Sequence, residues 1–385
     1  ILAAANAKVA EYMAQGYMWR NDYENAKIEL AKVINSGKYE LWTKTATMGP
    51  SSYGVNMELA KSNNADTWKD GNEEYEYLTL YRAEADFCDE FLLELDIDGD
   101  ATTIANTEPY WFRAYMNWRK DEVNLPGNTT TASDGWGFIN PTKTFAQAFA
   151  RHDGNSIRRR ANVATYSEVY HDFPYLSESA RGVMSSGLFE NEGYFRMKYY
   201  DFVDDVVPER FASGQTNGNT TNFPLMRYAD VLLMYAEACC MSGEGTANIT
   251  GLEALNKVRQ RAGLTPAPAL DMDNEEYGIK AERRFELWLD DCDRYVDLIR
   301  WGDYKDFITD TSDKGVSEHW GNECVWLLGM KDKNVRTDDP LDVSNYEVRY
   351  DPLSVRGSWN DRLYLFPFPY AETTQNPNLD QNTGW

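Results

Sequence analysis

Apolar residues recur at helical spacing in the first forty positions. Val9, Tyr12, Met13 and Tyr17 form one stripe, and Ala26, Leu30, Val33 and Ile34 form a second. Asn21-Asp22-Tyr23 separates them and Ser36-Gly37-Lys38 closes the second, as a glycine just past a helix end should. Residues 1–42 therefore predict a helical hairpin. Its register fits the tetratricopeptide repeat of about 34 residues, with Met13 and Ala14 at the large and small positions, Tyr17 at the aromatic one and Ala26 at the close crossing.

From 43 to 222 the period is lost. This stretch is rich in Gly, Asn, Ser and Thr and holds one strand-like run, Glu90 to Asp96. It reads as a large irregular insertion, and long ordered insertions are the usual place for function. Helical order returns over 223–310. Tyr228, Val231, Leu232, Tyr235 and Cys239 line one face of a helix expected from Phe223 onward, and Leu252, Leu255 and Val258 line a second that stops at Ala262-Gly263. A third begins near Tyr277 and carries Phe285, Trp288, Leu289, Cys292, Tyr295, Val296 and Ile299 over four turns before Trp301-Gly302. Residues 311–385 read as an irregular, proline-rich segment laid in extended form on the body. The pattern predicts a mainly α fold: a tetratricopeptide-like helical-hairpin scaffold with large irregular insertions and few short strands.

Composition narrows the functional classes. The 385 residues carry 38 Lys+Arg against 62 Asp+Glu, a net charge of -24, which repels nucleic acid. The five cysteines form no CxxC pair, and no run of 18 apolar residues exists to span a membrane. The opening residues read as mid-helix, so a preceding segment is expected to be missing. No cofactor is expected. The distinctive figure is 12 Trp, 25 Tyr and 16 Phe, 14% of a chain whose mean hydropathy is -0.62. Such rings either fill a core or stand exposed as platforms for the C–H face of a sugar.

Several signatures then occur in a fixed order: Val33 to Tyr39; Arg227 to Ala238; Leu255 to Leu264; Glu282-Arg283-Arg284-Phe285-Glu286-Leu287; Asp297 to Gly302; and Leu365-Phe366-Pro367-Phe368-Pro369 with Asn376 to Leu379. Together they resemble the SusD/RagB family of outer-membrane glycan-binding lipoproteins. Gly135-Trp136-Gly137 and Ala148 to Asp153 look like that family's middle portion. The resemblance implies a non-catalytic cell-surface protein that binds an oligo- or polysaccharide and passes it to a SusC-like TonB-dependent transporter. It also implies outer-membrane anchoring through an N-terminal lipid that this chain does not contain.

The ligand candidates are the aromatics where the helical period stops. The run Glu108 to Arg119 combines Tyr110, Trp111 and Trp118 with hydrogen-bonding neighbours, and Trp68, Trp136, Trp320 and Trp359 share its irregular setting. A minicore tying the insertion to the scaffold is the alternative for each of them. Trp288 and Trp301, on helical stripes, read as core. Asp96, Asp98 and Asp100 alternate like a calcium loop, but the sixth and twelfth positions hold Ala101 and Thr107, so an acidic turn is the simpler reading. Arg158-Arg159-Arg160 reads as a surface feature or an internal salt-bridge donor. Two rival classes remain. A helical glycoside hydrolase would need a catalytic carboxylate pair, which 62 acids make uninformative in sequence. A tetratricopeptide scaffold for peptides would need an open concave groove.

Overall fold

A computed structural model describes residues 2–43, 80–81, 85–96, 139–168, 193–199, 221–290, 293–309, 323–352, 360–364 and 366–382. It is mainly α. The N-terminal hairpin pairs α1 (Leu2–Trp19) with α2 (Tyr23–Asn35), whose first turn is capped by the Asp22 carboxylate. Gly37, at φ 61°, supplies the left-handed residue that ends α2. The expected stripe of α2 is buried, but that of α1 is reversed. Ala7, Ala10, Ala14 and Met18 face inward, while Val9, Tyr12 and Met13 are exposed. Alanines on one face let two helices approach closely, and here that fit outweighs burial of the larger side chains.

The run expected to be helical from Phe223 begins as a strand. β4 (Phe223–Arg227) pairs antiparallel with β1 (Phe91–Leu95), and only at Tyr228 does α5 (Tyr228–Ser242) start. Pro224 is tolerated because a two-stranded sheet consists of edges. α5 has more than one apolar face: every residue from Tyr228 to Cys239 is buried, between α2 and α6 (Gly251–Arg261). The charged end of Lys27 reaches from α2 to the C-terminus of α5, donating to the carbonyls of Ser242 and Gly243 at 3.1 and 2.9 Å. α6 opens with a reciprocal Thr250–Glu253 capping box. Gly251 sits where no side chain fits, since a Cβ there would lie 2.5 Å from the Cys239 Cβ.

The expected third long helix is two: α7 (Ile279–Glu286) and α8 (Asp293–Trp301). Leu289 takes φ 63°, and the Glu286 carbonyl accepts from Arg227 Nη2 at 3.0 Å rather than continuing the helix. α9 (Tyr304–Thr309) follows the break at Gly302.

Part of the stretch expected to be irregular is ordered. α3 (Lys143–Asp153), α4 (Ile157–Asn162) and the β2–β3 pair (Val163–Thr165 with Tyr194–Arg196) build a core of their own around Phe149, Tyr166, Tyr194 and Tyr199. Phe285 of α7 completes this second core, stacked on Phe149 at 4.7 Å, whereas Ile279 of the same helix belongs to the scaffold core. The C-terminal stretch holds a β5–β6 pair (Glu323–Met330 with Tyr346–Pro352) and a short α10 (Tyr370–Gln375). Pro367 and Pro369 precede α10, so neither lacks a helical hydrogen bond. No helix among the described residues is long and apolar enough to cross a membrane.

Candidate functional site

The sequence-predicted aromatics Trp68, Tyr110, Trp111, Trp118, Trp136, Trp320 and Trp359 all lie outside the described residues, as do Asp98 and Asp100. Asp96 is exposed at the end of β1. The described parts of residues 43–222 show how they themselves join the scaffold.

The joint is a buried ion network. Arg158 of α4 is fully enclosed and grips Asp153 at the end of α3 with two N–H groups, at 2.9 and 2.8 Å. Its remaining Nη1 reaches Glu282 at 2.8 Å and Glu286 at 3.3 Å on α7. Arg259 of α6 takes the other oxygen of Glu282. Arg261 bridges Glu286 at 2.6 Å to Glu90 at 2.7 Å, just before β1, and Arg227 at the end of β4 binds Glu90 at 2.7 Å, Glu286 at 3.1 Å and Asp290 at 2.5 Å. Lys198, beyond β3, closes on Asp290 at 2.8 Å. Five cations thus face five carboxylates, and the joint is neutral.

The electrostatics follow from that pairing. Burial would raise the Asp153 carboxyl, but Arg158 and His152 outweigh it and hold it well below the usual carboxylate range. Burial pulls Lys198 down to about 8 against the attraction of Asp290. Arg159 is likewise internal, clamped on Glu168 at 2.6 and 2.8 Å. Of the two sequence readings of the arginine run, the internal one holds for Arg158 and Arg159. A second network joins Arg283 to Asp230 and Asp297, and Arg300 to Asp297 and Glu237. Trp301 donates its indole N–H to Glu237 at 2.9 Å, and Trp288 packs half-buried beside Phe145 at 4.8 Å.

Chemically, each carboxylate in these two networks is committed to a guanidinium. None is a free general acid or base. Glu94 on β1 stands apart: burial and the nearby acids Asp86 and Asp96 push it up to about 7, although the Phe87 N–H donates to it at 2.8 Å.

Sequence reasoning missed one group of rings. Phe366, Phe368 and Tyr370 are exposed, Tyr370 at 82%, and Phe366 lies 6.1 Å from Tyr295, itself edge-on to Tyr304 at 5.1 Å. The alternation of Phe and Pro before Tyr370 was the available signal, because proline keeps such a segment out of the core.

Residues 89–385 match the model of the SusD family. The chain is 32% identical over 184 residues to SusD-like protein P25 of Formosa agariphila, and 34% identical over 166 residues to a SusD-like protein of Bacteroides ovatus. Those matches cover 46% and 42% of this chain but only 28% and 29% of the relatives. Among solved structures, a SusD-like protein of Bacteroides fragilis superposes with a TM-score of 0.60 at 19% identity, over 98% of this chain and 65% of that one. Surface glycan-binding protein A of Bacteroides thetaiotaomicron, in complex with laminarihexaose, gives a TM-score of 0.53 at 20% identity, over 80% of this chain and 57% of that one. The signatures in order, the hairpin scaffold and the family match over residues 89–385 agree: the chain belongs to the SusD family.

Proposed function

We propose that this protein captures an oligo- or polysaccharide at the cell surface without catalysis. Held at the membrane by an N-terminal lipid, it then passes the glycan to a TonB-dependent outer-membrane transporter. The family match over residues 89–385 carries the reading. Relatives of the same fold described as surface glycan-binding proteins, one with laminarihexaose, support it. The glycan-facing residues are proposed to be Trp68, Tyr110, Trp111, Trp118, Trp136, Trp320 and Trp359, carried by the mounted insertion and the C-terminal segment.

Two observations weigh against the rivals. The buried acids of both networks are neutralised by arginine, unlike a catalytic pair in which one carboxyl must hold a proton. A peptide groove between tetratricopeptide hairpins needs an accessible concave face, whereas α5 is buried from Tyr228 to Cys239.

Affinity electrophoresis through gels cast with different polysaccharides tests the proposal. Retardation by at least one glycan is expected, with loss on alanine substitution of Trp111, Trp118 and Trp136 together and no reducing ends released. Failure to bind any glycan at millimolar concentration would overturn it.

A further inference from the structure

Residues 366–382 bury none of their side chains, and α10 within them is too short to hold itself in water. Their shape comes from two other sources. Proline at 367, 369 and 377 restricts the backbone, with Pro369 at φ -52° and ψ 136° in the polyproline region. The Gln381 amide then clasps the Phe368 backbone, accepting from its N–H at 2.8 Å and donating to its carbonyl at 2.9 Å, and Asn382 Nδ2 donates to the Phe366 carbonyl at 2.5 Å. The rings on this fixed backbone are left to solvent: Phe366 is 74% exposed, Tyr370 82% and Phe368 39%. Tyr295 of α8 extends the array, 6.1 Å from Phe366 with the two planes inclined by 43°.

Size and charge choose the occupant. The three rings of the segment expose about 400 Å² between them, half of the roughly 800 Å² that each side of a stable protein interface buries. That area suits a small ligand better than a second copy of the chain. Only Glu372 and Asp380 are charged between 366 and 382, in a chain that is 26% charged, and the exposed residues that follow the rings, Gln375, Asn376 and Asn378, carry amides. Flat apolar faces beside uncharged donors and acceptors match a neutral sugar, which offers C–H faces rimmed by hydroxyls. A backbone already locked by proline and by the Gln381 clasp loses little freedom when such a ligand binds.

We infer that Phe366 and Tyr370, with Phe368 and Tyr295 beside them, form a stacking platform for a short run of neutral sugar rings. The Gln375, Asn376 and Asn378 amides supply hydrogen bonds to the hydroxyls. The inference rests on the glycan-capture reading and adds to it a contact surface beyond the tryptophan positions named above.

The test uses affinity gels cast with laminarin, starch, galactomannan and xylan, then calorimetric titration with oligosaccharides of each polymer that retards the chain. Phe366→Ala combined with Tyr370→Ala should weaken binding at least about fivefold. Its melting temperature should stay within about 2 °C of the original, because exposed rings carry no packing. Phe366→Trp with Tyr370→Trp should bind as well as the original or better, whereas Phe366→Leu with Tyr370→Leu, apolar but not flat, should fall with the alanine pair. Binding unchanged in the alanine pair, or preserved by leucine, would overturn the inference and leave glycan capture standing. Retardation by none of the polymers would overturn the capture reading, and this one with it. Sedimentation that shows self-association of the original chain, lost in the alanine pair, would make a second copy the occupant and also overturn the inference.

Discussion

Replacing Arg158 by methionine tests the ionic joint directly. Methionine keeps much of the apolar stem and removes the guanidinium that bonds Asp153 at 2.9 and 2.8 Å. Glu282 would retain Arg259, and Glu286 would retain Arg227 and Arg261, so the stranded charge is chiefly Asp153, left with His152 at 2.6 Å and the Ser156 hydroxyl at 2.9 Å. Breaking a buried pair by removing one partner costs about 3–5 kcal/mol, and the surviving partners place this case near 3 kcal/mol. Urea unfolding at pH 8 should show that loss as a lower midpoint with little change in slope.

The pH dependence adds an independent readout. In the original chain Asp153 is held below its unfolded value, so its contribution is complete above the unfolded pKa and fades only as pH falls through the lower folded one. In the variant, burial pushes the stranded carboxyl up, the folded state takes up a proton more readily than the unfolded, and stability declines with rising pH. The gap between the two proteins should therefore narrow from pH 8 to pH 5. A cost under about 1 kcal/mol at pH 8, or a gap that does not change with pH, would refute the reasoning.

Glu94, raised from 4.5 to about 7, makes the folded state the better proton binder between those values, so stability should fall as pH climbs through that window. Glu94→Gln should equal the original chain near pH 4.5 and exceed it by about 1–2 kcal/mol at pH 8 after allowance for partial exposure, measured by urea midpoints. Gly251→Ala would set a methyl 2.5 Å from the Cys239 Cβ and 3.0 Å from Leu270 Cδ1. Forcing α5 and α6 apart should cost about 1–3 kcal/mol in the same assay. Lys27→Met removes both donors from the end of α5, and a loss of about 1–2 kcal/mol is expected, with faster amide exchange in the last turn of that helix.

The hairpin order and its stops were legible because they depend on local rules. Gly37, Gly263 and Gly302 end helices at positive φ where the sequence placed them. Three features were not local. The face of α1 reversed because three alanines fit the neighbouring helix better than Val9 and Tyr12 do. β4 hid in a helical pattern because its partner, β1, lies more than a hundred residues earlier. The break near Leu289 arises from Arg227, which takes a carbonyl that no local pattern connects to it. The burial of Arg158 was one of two readings of the arginine run, and sequence could not choose between them because the carboxylates that make it tolerable are distant. For the ligand site, sequence reasoning reached residue types and irregular segments, and the named aromatics fall outside the described residues.

One short helix explains what the family signatures encode. α7 offers Ile279 to one core and Phe285 to the other, and spends Glu282, Arg283 and Glu286 on the two ion networks. Arg259, Arg261, Asp297 and Arg300, drawn from other signature runs, are spent in the same way. These signature positions therefore record a chassis. Two chains could share every one of these residues and differ in everything mounted on them. Inheritance of the ligand must be sought in the stretches that kinship leaves free to diverge.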